Sequence, residues 1–493
     1  MTIKDLNPSE VWNNFYELTR IPRPSKKEGK AIDYMYAFGK SLGLETIRDE
    51  VGNIIIRKPA TPGMENRKGV VLQGHIDMVP QKNADTVHDF EKDPIETWID
   101  GEWVRAKGTT LGADNGLGVA MAMAVLQSNE IKHGPLEVLV TMDEETGMTG
   151  AQALKPGMLN GDILINLDSE TEGELYVGCA GGLDATITAN YTPVDEPEGH
   201  LCYSVAVKGF KGGHSGMDII KYRVNANKVM ARTLWRLINE ASVKLLDFEG
   251  GTLRNAIPRE AFATVYVPED KVELAKSIVA QVESEVKCEY AVADPDGYFV
   301  FEPYQCAEGE VCDGESCKYV PEDLAKKYIA AIVAFPDGVE RMSDAVPGLV
   351  ETSNNMAVVK IEKGELVLKS LLRSSVDSAK EALAMKMSCF AEMIGAKAEY
   401  TGGYSGWAPN ANSTILRVMK EVYKNMFGNE PAVMAIHAGL ECGMLGGTYP
   451  NWDMISCGPT LLSPHSPDER ANIPSVAKCW EFLKAVLENI PVK

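Results

Sequence analysis

Positive charge is what this 493-residue chain has too little of, with 49 Lys and Arg against 70 Asp and Glu, a net −21. Such a surface repels phosphates, so neither nucleic acid nor an anionic membrane is expected as a partner. Long apolar runs are also missing. None approaches the ~18 residues of a membrane span, and Met1 to Glu10 shows no basic stretch leading into an apolar one. Cysteine is sparse, ten residues without one Cys-x-x-Cys pair. Cys306, Cys312 and Cys317 cluster in an acidic loop, but their spacing fits no zinc knuckle. Reduced thiols in a cytoplasmic protein are the expectation. With no Gly-x-Ser-x-Gly elbow and no cysteine in a nucleophile's context, a serine or cysteine hydrolase is disfavoured. Hydrophobic content of 45% and charged content of 24% exclude a disordered or fibrous chain.

The first part alternates strand and helix signals. Helices are expected over Pro8–Thr19, Lys26–Leu42 and Leu117–Gln127, and short apolar strands over Val70–Gln73, Leu136–Met142 and Ile163–Leu167. Almost wholly apolar strands separated by helices indicate a mainly parallel sheet covered on both faces. Asp100-Gly101 marks a hairpin over Trp98–Val104. Near Gly178–Gly182 the grammar changes to two similar lobes of strands and helices. Asn255-Ala256-Ile257-Pro258 and Ser353-Asn354-Asn355-Met356 are candidate counterparts of a diverged duplication. After Trp407 the α/β pattern returns, with helices over Ser413–Phe427 and Ser475–Asn489 around a strand at Met454–Ser456. The expected fold is therefore α/β: a doubly wound, mainly parallel catalytic domain (1–186 and 408–493) interrupted by an inserted bilobal α+β lid domain (187–407).

Open α/β sheets bind ligands beyond the carboxyl ends of their strands, and there the chemistry-bearing residues fall. In Gly74-His75-Ile76-Asp77 the side chains i and i+2 share one face of an extended chain. An imidazole beside a carboxylate is an ordinary zinc-ligand arrangement; a surface His-Asp pair is the plainer alternative. Asp114, in Gly112-Ala113-Asp114-Asn115-Gly116, could equally be a helix N-cap. Asp143-Glu144-Glu145 would repel one another at a strand's end unless a cation or a shared proton intervenes, or would form a solvated acidic loop. Asp168 ends a further strand, and His465 lies in the Pro-flanked Ser463-Pro464-His465-Ser466-Pro467. Taken together, one histidine and several carboxylates at consecutive strand ends, with a second histidine supplied by the His465 loop, suit a pair of zinc ions; two ions ~3.5–4 Å apart need a bridging carboxylate and can activate water near neutral pH.

These motifs, with Gly178–Gly182 and Gly212-Gly213-His214-Ser215-Gly216, resemble the zinc exopeptidase family that includes carnosinases, peptidase T, glutamate carboxypeptidase and acetylornithine deacetylase, and within it the dipeptidases acting on Xaa-His. Their order covers almost the whole chain. One departure is Asp114-Asn115-Gly116, where many members carry Asp-x-Lys-Gly. The resemblance implies a cytoplasmic metallo-dipeptidase that hydrolyses unblocked dipeptides with two divalent ions per chain, zinc first and manganese or cobalt as alternatives. His75 and Asp168 would hold one ion, Glu145 and His465 the other, and Asp114 would bridge. Asp77 would orient His75, Glu144 would be the general base, and His214 would donate to the oxyanion. Arg373 would take the substrate carboxylate and Glu441 its ammonium, while His437 would be structural. A homodimer is compatible with this family, since a partner can complete the site with a lid histidine. An N-acyl amino acid amidohydrolase of the same fold is the nearest rival, and a non-catalytic binding protein a remote one.

Overall fold

The computed structural model describes residues 2–304 and 318–493, so the Cys306, Cys312 and Cys317 cluster lies outside the described residues. The chain divides into two compact units. The first comprises residues 1–179, 407–435 and 440–493, and the second 180–406 and 436–439. The first break falls at residue 179 because Gly181–Asn190, which sequence reading splits between domains, is a full strand of the second unit's sheet.

Four parallel strands form the heart of the first unit, in the order Leu136–Thr141, Val70–His75, Ile163–Asn166, Asp453–Ser456. Every residue of the first three is buried, as strands covered on both faces must be. Glu45–Arg48 and Ile54–Lys58 extend the sheet antiparallel on one side, and Glu174–Cys179 pairs antiparallel with Asp453–Ser456 on the other. The sheet is thus parallel at its centre and antiparallel at its flanks. The Ala- and Met-rich helix Ala113–Gln127 is apolar all round and buried from Ala113 to Leu126. A second, four-stranded sheet confirms the Asp100-Gly101 hairpin as Thr97–Asp100 with Trp103–Ala106, and adds Arg470–Asn472 and Leu461–Leu462. It pairs Ala471 with Val104, which brings chain segments from opposite ends of the sequence together.

In the second unit one antiparallel sheet runs 298–303, 200–208, 261–268, 244–250, 350–362, 365–374, 181–190 and 397–404, with 338–342 added on 350–362. The two expected lobes are the halves of this sheet. They join where Phe248–Gly250 pairs with Val359–Ile361, over a single apolar core lined by the helices Ala226–Ala241, Val272–Glu289, Glu322–Ala334 and Asp377–Ile394. The two asparagine motifs touch each other: Asn355 Nδ2 donates to the carbonyls of Arg254 and Ala256 at 2.9 and 2.8 Å. Among the described residues, no helix of either unit is long and apolar enough to cross a membrane.

Candidate metal centre

In the first unit the carboxyl ends of the parallel strands converge on one cluster. His75 closes its strand, Glu144 and Glu145 follow Leu136–Thr141 in a single helical turn, and Asp168 lies two residues beyond Ile163–Asn166. Asp114 does not cap its helix. Gly112 holds that position, and Asp114 has non-helical angles of φ −80° and ψ 110° that free its carboxylate. One oxygen, Oδ1, lies 3.2 Å from His75 Nε2, and the other, Oδ2, 3.1 Å from His465 Nε2. Each histidine has its own further carboxylate: Asp168 Oδ1 is 3.4 Å from His75 Nε2, and Glu145 Oε2 is 3.0 Å from His465 Nε2. The result is two donor sets, His75–Asp114–Asp168 and Asp114–Glu145–His465, sharing Asp114. A third, overlapping set joins His75 with Glu144 and Glu145.

Asp77 stands behind His75, with Oδ1 3.3 Å from its Nδ1. Its carboxylate also accepts the Glu144 and Glu145 amides at 3.0 and 3.3 Å and the Ser25 hydroxyl at 2.8 Å. One side chain thereby ties His75 to the acidic turn. Of the three successive acids, Asp143 faces away, accepting from the hydroxyls of Thr146 and Thr149. Only two acids of that run therefore face the cluster.

The electrostatics ask for positive charge. Five carboxylates (Asp77, Asp114, Glu144, Glu145, Asp168) surround two imidazoles. Burial works against protonating His75, yet Asp168, Asp114 and Asp77 outweigh it and hold the ring proton well above the ordinary range. Hydrogen bonds to Asp114 and Glu145 push His465 up to about 11. Burial raises Glu144 and Asp168 well above normal carboxylates despite the opposing His75. Asp77 is instead held down to about 2, because His75 and its donors overcome burial. Beyond its contact with His75, buried Asp168 Oδ1 has no hydrogen-bond donor, and buried Glu145 Oε1 has none either. Orphaned acceptors of this kind and a His/carboxylate donor set fit divalent cations, in the two places that Asp114 connects.

Beneath the cluster runs a row of buried polar side chains that sequence reading misses. Gln73 Oε1 accepts from Asn166 Nδ2 at 2.6 Å, and Asn166 Oδ1 accepts from the Ser456 hydroxyl at 2.5 Å and the Asp168 amide at 3.2 Å. At the other end Glu441 Oε2 accepts from Gln73 Nε2 at 2.6 Å and Thr141 Oγ1 at 2.8 Å. Glu441 is 0% exposed, its Oε1 has no partner, and burial lifts its carboxyl to about 7. Its observed place is thus the floor of the cluster.

Two more residues escape the motifs. Glu469 accepts four consecutive backbone N–H groups, from Leu111 and Gly112 on one oxygen and Ala113 and Asp114 on the other, at 2.7–3.3 Å. Arg23 donates to the carbonyls of Ile76, Asp77 and Gly112. An acid four residues after His465 in a rigid loop is a signal that could have flagged Glu469; Arg23 has none.

Within the second unit, His214 Nδ1 accepts the amides of Gly216 and Met217 at 3.2 and 3.1 Å. The ring proton therefore sits on Nε2, making that atom a donor. Burial, then Arg373, lowers the pKa and keeps the ring neutral. Arg373 is 5% exposed, approaches Ser215 Oγ and Tyr404 Oη at 3.3 Å each, and has no carboxylate within 4 Å among the described residues. His437 is buried against Ser353 Oγ at 2.7 Å and held down to about 3, chiefly by burial.

Known proteins resemble this chain over its whole length. A cytosol non-specific dipeptidase of Escherichia coli is 46% identical over the whole of this chain and 99% of its own length. The crystal structure of an aminoacylhistidine dipeptidase from Vibrio alginolyticus superposes with a TM-score of 0.94 at 47% identity, covering 100% of this chain and 99% of that one. An aminopeptidase PepT from Bacillus cereus shares the fold, with a TM-score of 0.56 at 17% identity over 98% and 99% of the two chains. Residues 71–489 match the profile of peptidase family M20/M25/M40, and to that family this chain belongs.

Proposed function

We infer that this protein is a metal-dependent dipeptidase that hydrolyses unblocked dipeptides, Xaa-His among them. The observation that carries the reading is Asp114, whose two oxygens face two different histidines, each backed by its own carboxylate. The names of the full-length E. coli and Vibrio relatives support peptide-bond hydrolysis over removal of an acyl group. The former's name also supports a cytosolic place of action.

His75 and Asp168 would hold one divalent cation, Glu145 and His465 the other, and Asp114 both. The donor set suits zinc, with manganese and cobalt as alternatives. When bound, such a pair supplies Lewis acidity toward the peptide carbonyl and an acidified water. Asp77 fixes the His75 ring through Nδ1. Glu144, beside the ligand turn but not needed by either His–carboxylate pair, takes the proton of the attacking water and returns it to the leaving amine. His214, with its proton on Nε2, donates to the oxyanion of the tetrahedral intermediate. Arg373, buried with no carboxylate within 4 Å among the described residues, offers its guanidinium to the substrate's terminal carboxylate. The fully buried Glu441 is not retained as the ammonium ligand.

The test is turnover of Gly-His and β-Ala-His beside their N-acetylated forms, with metal content measured on the same preparation. A dipeptidase cleaves the free-amine substrates alone. Cleavage confined to the acetylated ones would make the protein a deacylase.

A further inference from the structure

Five chain segments must meet for the two donor sets to form, among them the strand end with His75, the loop with Asp114 and the turn with His465. Arg23 and Glu469 stand between them. Arg23, 1% exposed, joins the first two, donating to the Ile76 and Asp77 carbonyls at 2.8 and 3.1 Å and to the Gly112 carbonyl at 2.5 Å. Gly112 has φ +68°, and a Cβ there would stand 2.7 Å from Arg23 Nη2, so the approach of this guanidinium requires glycine.

Glu469 joins the second and third. It is 2% exposed, and its own amide closes a turn onto the Ser466 carbonyl at 3.0 Å, one residue from His465. Its carboxylate fills a nest of four successive amides that ends at Asp114 itself. Among the described residues no other hydrogen bond ties this turn to the 111–114 loop, apart from His465 to Asp114. The other donor set shares Asp114 but has a support of its own there, since Arg23 holds the Gly112 carbonyl of that loop to the carbonyls of Ile76 and Asp77. Its private donors rest on the sheet: His75 lies in a strand paired on both sides, and Asp168 lies two residues beyond another strand of that sheet.

We infer that Glu469 is a positioning residue for one cation alone: by fixing Asp114 against His465 it sets the affinity of the Asp114–Glu145–His465 site and leaves the His75–Asp168 side to the sheet. This rests on the two-cation reading above. A general packing role would weaken both ions alike or lower stability without separating them.

The experiment is a zinc chloride titration of the metal-stripped full chain against a chromophoric chelator, for the wild type, Glu469→Gln and Glu469→Asp. Glutamine keeps the shape but points an NH2 at backbone N–H groups. The expected result is two tight ions in the wild type, and in Glu469→Gln one unchanged ion and one weakened 10–100-fold, the range for a lost outer-shell partner. Glu469→Asp, which keeps the charge and loses a methylene, should recover part of that affinity. If the glutamine variant does not fold, the aspartate variant alone decides, by weakening one ion and sparing the other. Equal weakening of both ions, or none, in the folded variant overturns the inference while the two-cation reading stands. A wild type that binds a single ion overturns both.

Discussion

Glu144 and Glu145 are neighbours in one helical turn, yet they should fail in opposite ways. Glu145 Oε2 lies 3.0 Å from His465 Nε2, whereas Glu144 sits in the cluster with its amide given to Asp77 and its carboxyl lifted by burial. Glu144→Gln keeps size and polarity and deletes the base. A general base contributes roughly 10²–10⁴-fold, or about 3–5 kcal/mol of barrier at 1.36 kcal/mol per decade. The variant should therefore lose that factor in kcat while binding both ions and substrate like the parent. Glu145→Gln removes one carboxylate oxygen from the Asp114–Glu145–His465 set. It should hold one ion weakly and regain part of its activity in excess zinc or manganese. The assay is kcat on Gly-His across a metal titration, with metal per chain measured on both variants. Because Glu144 also falls within the overlapping His75–Glu144–Glu145 set, the outcome is open to reversal. Added metal that rescues Glu144→Gln and not Glu145→Gln would refute the assignment.

Asp114→Ala should lose both ions and activity together, with thermal unfolding of the metal-free protein little changed; two tightly held ions in that variant would exclude a bridge. His214→Ala should lower kcat about 10²–10³-fold with metal content intact, since a lost oxyanion donor has that size; loss of metal instead would make His214 a ligand. In the second unit, burial lifts the Asp337 carboxyl to about 6 against the donors Met356 N–H and Asn225 Nδ2 and the nearby charge of Lys228. The folded state then binds the extra proton, so this group's contribution is present below its unfolded pKa near 4 and is lost as pH rises through 6. Asp337→Asn, whose Oδ1 keeps both acceptor bonds (Asn225 Nδ2 at 3.0 Å, Met356 N at 2.8 Å), should raise Tm at pH 7 and leave it unchanged at pH 4.

What the sequence makes legible is what repeats along the chain. The apolar strands at Val70, Leu136 and Ile163 and the helices at Ser9, Gly29 and Thr414 stand out by composition, and the acids and histidines stand out by falling where those strands stop. Glu45–Arg48, short and partly exposed, carries no such contrast, and in Ile54–Lys58 it is confined to three buried isoleucines. The joining of the second unit's two halves is equally silent, because Phe248–Gly250 and Val359–Ile361 pair across more than a hundred residues. The supports of the cluster are hidden for a related reason. Gln73 and Asn166 look like chance polar residues in apolar strands until the register sets them side by side, and Arg23 acts on carbonyls that any sequence could supply. The burial of Glu441, expected from the sequence as an ammonium ligand, is equally hidden because it depends on Gln73 and Thr141.

The strand Asp453–Ser456 sits inside the first sheet, between Ile163–Asn166 and Glu174–Cys179, although it belongs to the last tenth of the chain. During synthesis the ribosome has finished every residue of the second unit's main segment, 180–406, before that strand exists. The second unit's sheet can thus close while the nascent first sheet still presents Ile163–Asn166 as a bare apolar edge, the kind of surface that recruits foreign strands. His465 emerges later still. The interval before residues 453–456 emerge is therefore a vulnerable one, and a chain terminated before residue 453 would leave that edge open for good, a substrate for chaperones and proteases rather than a slower enzyme.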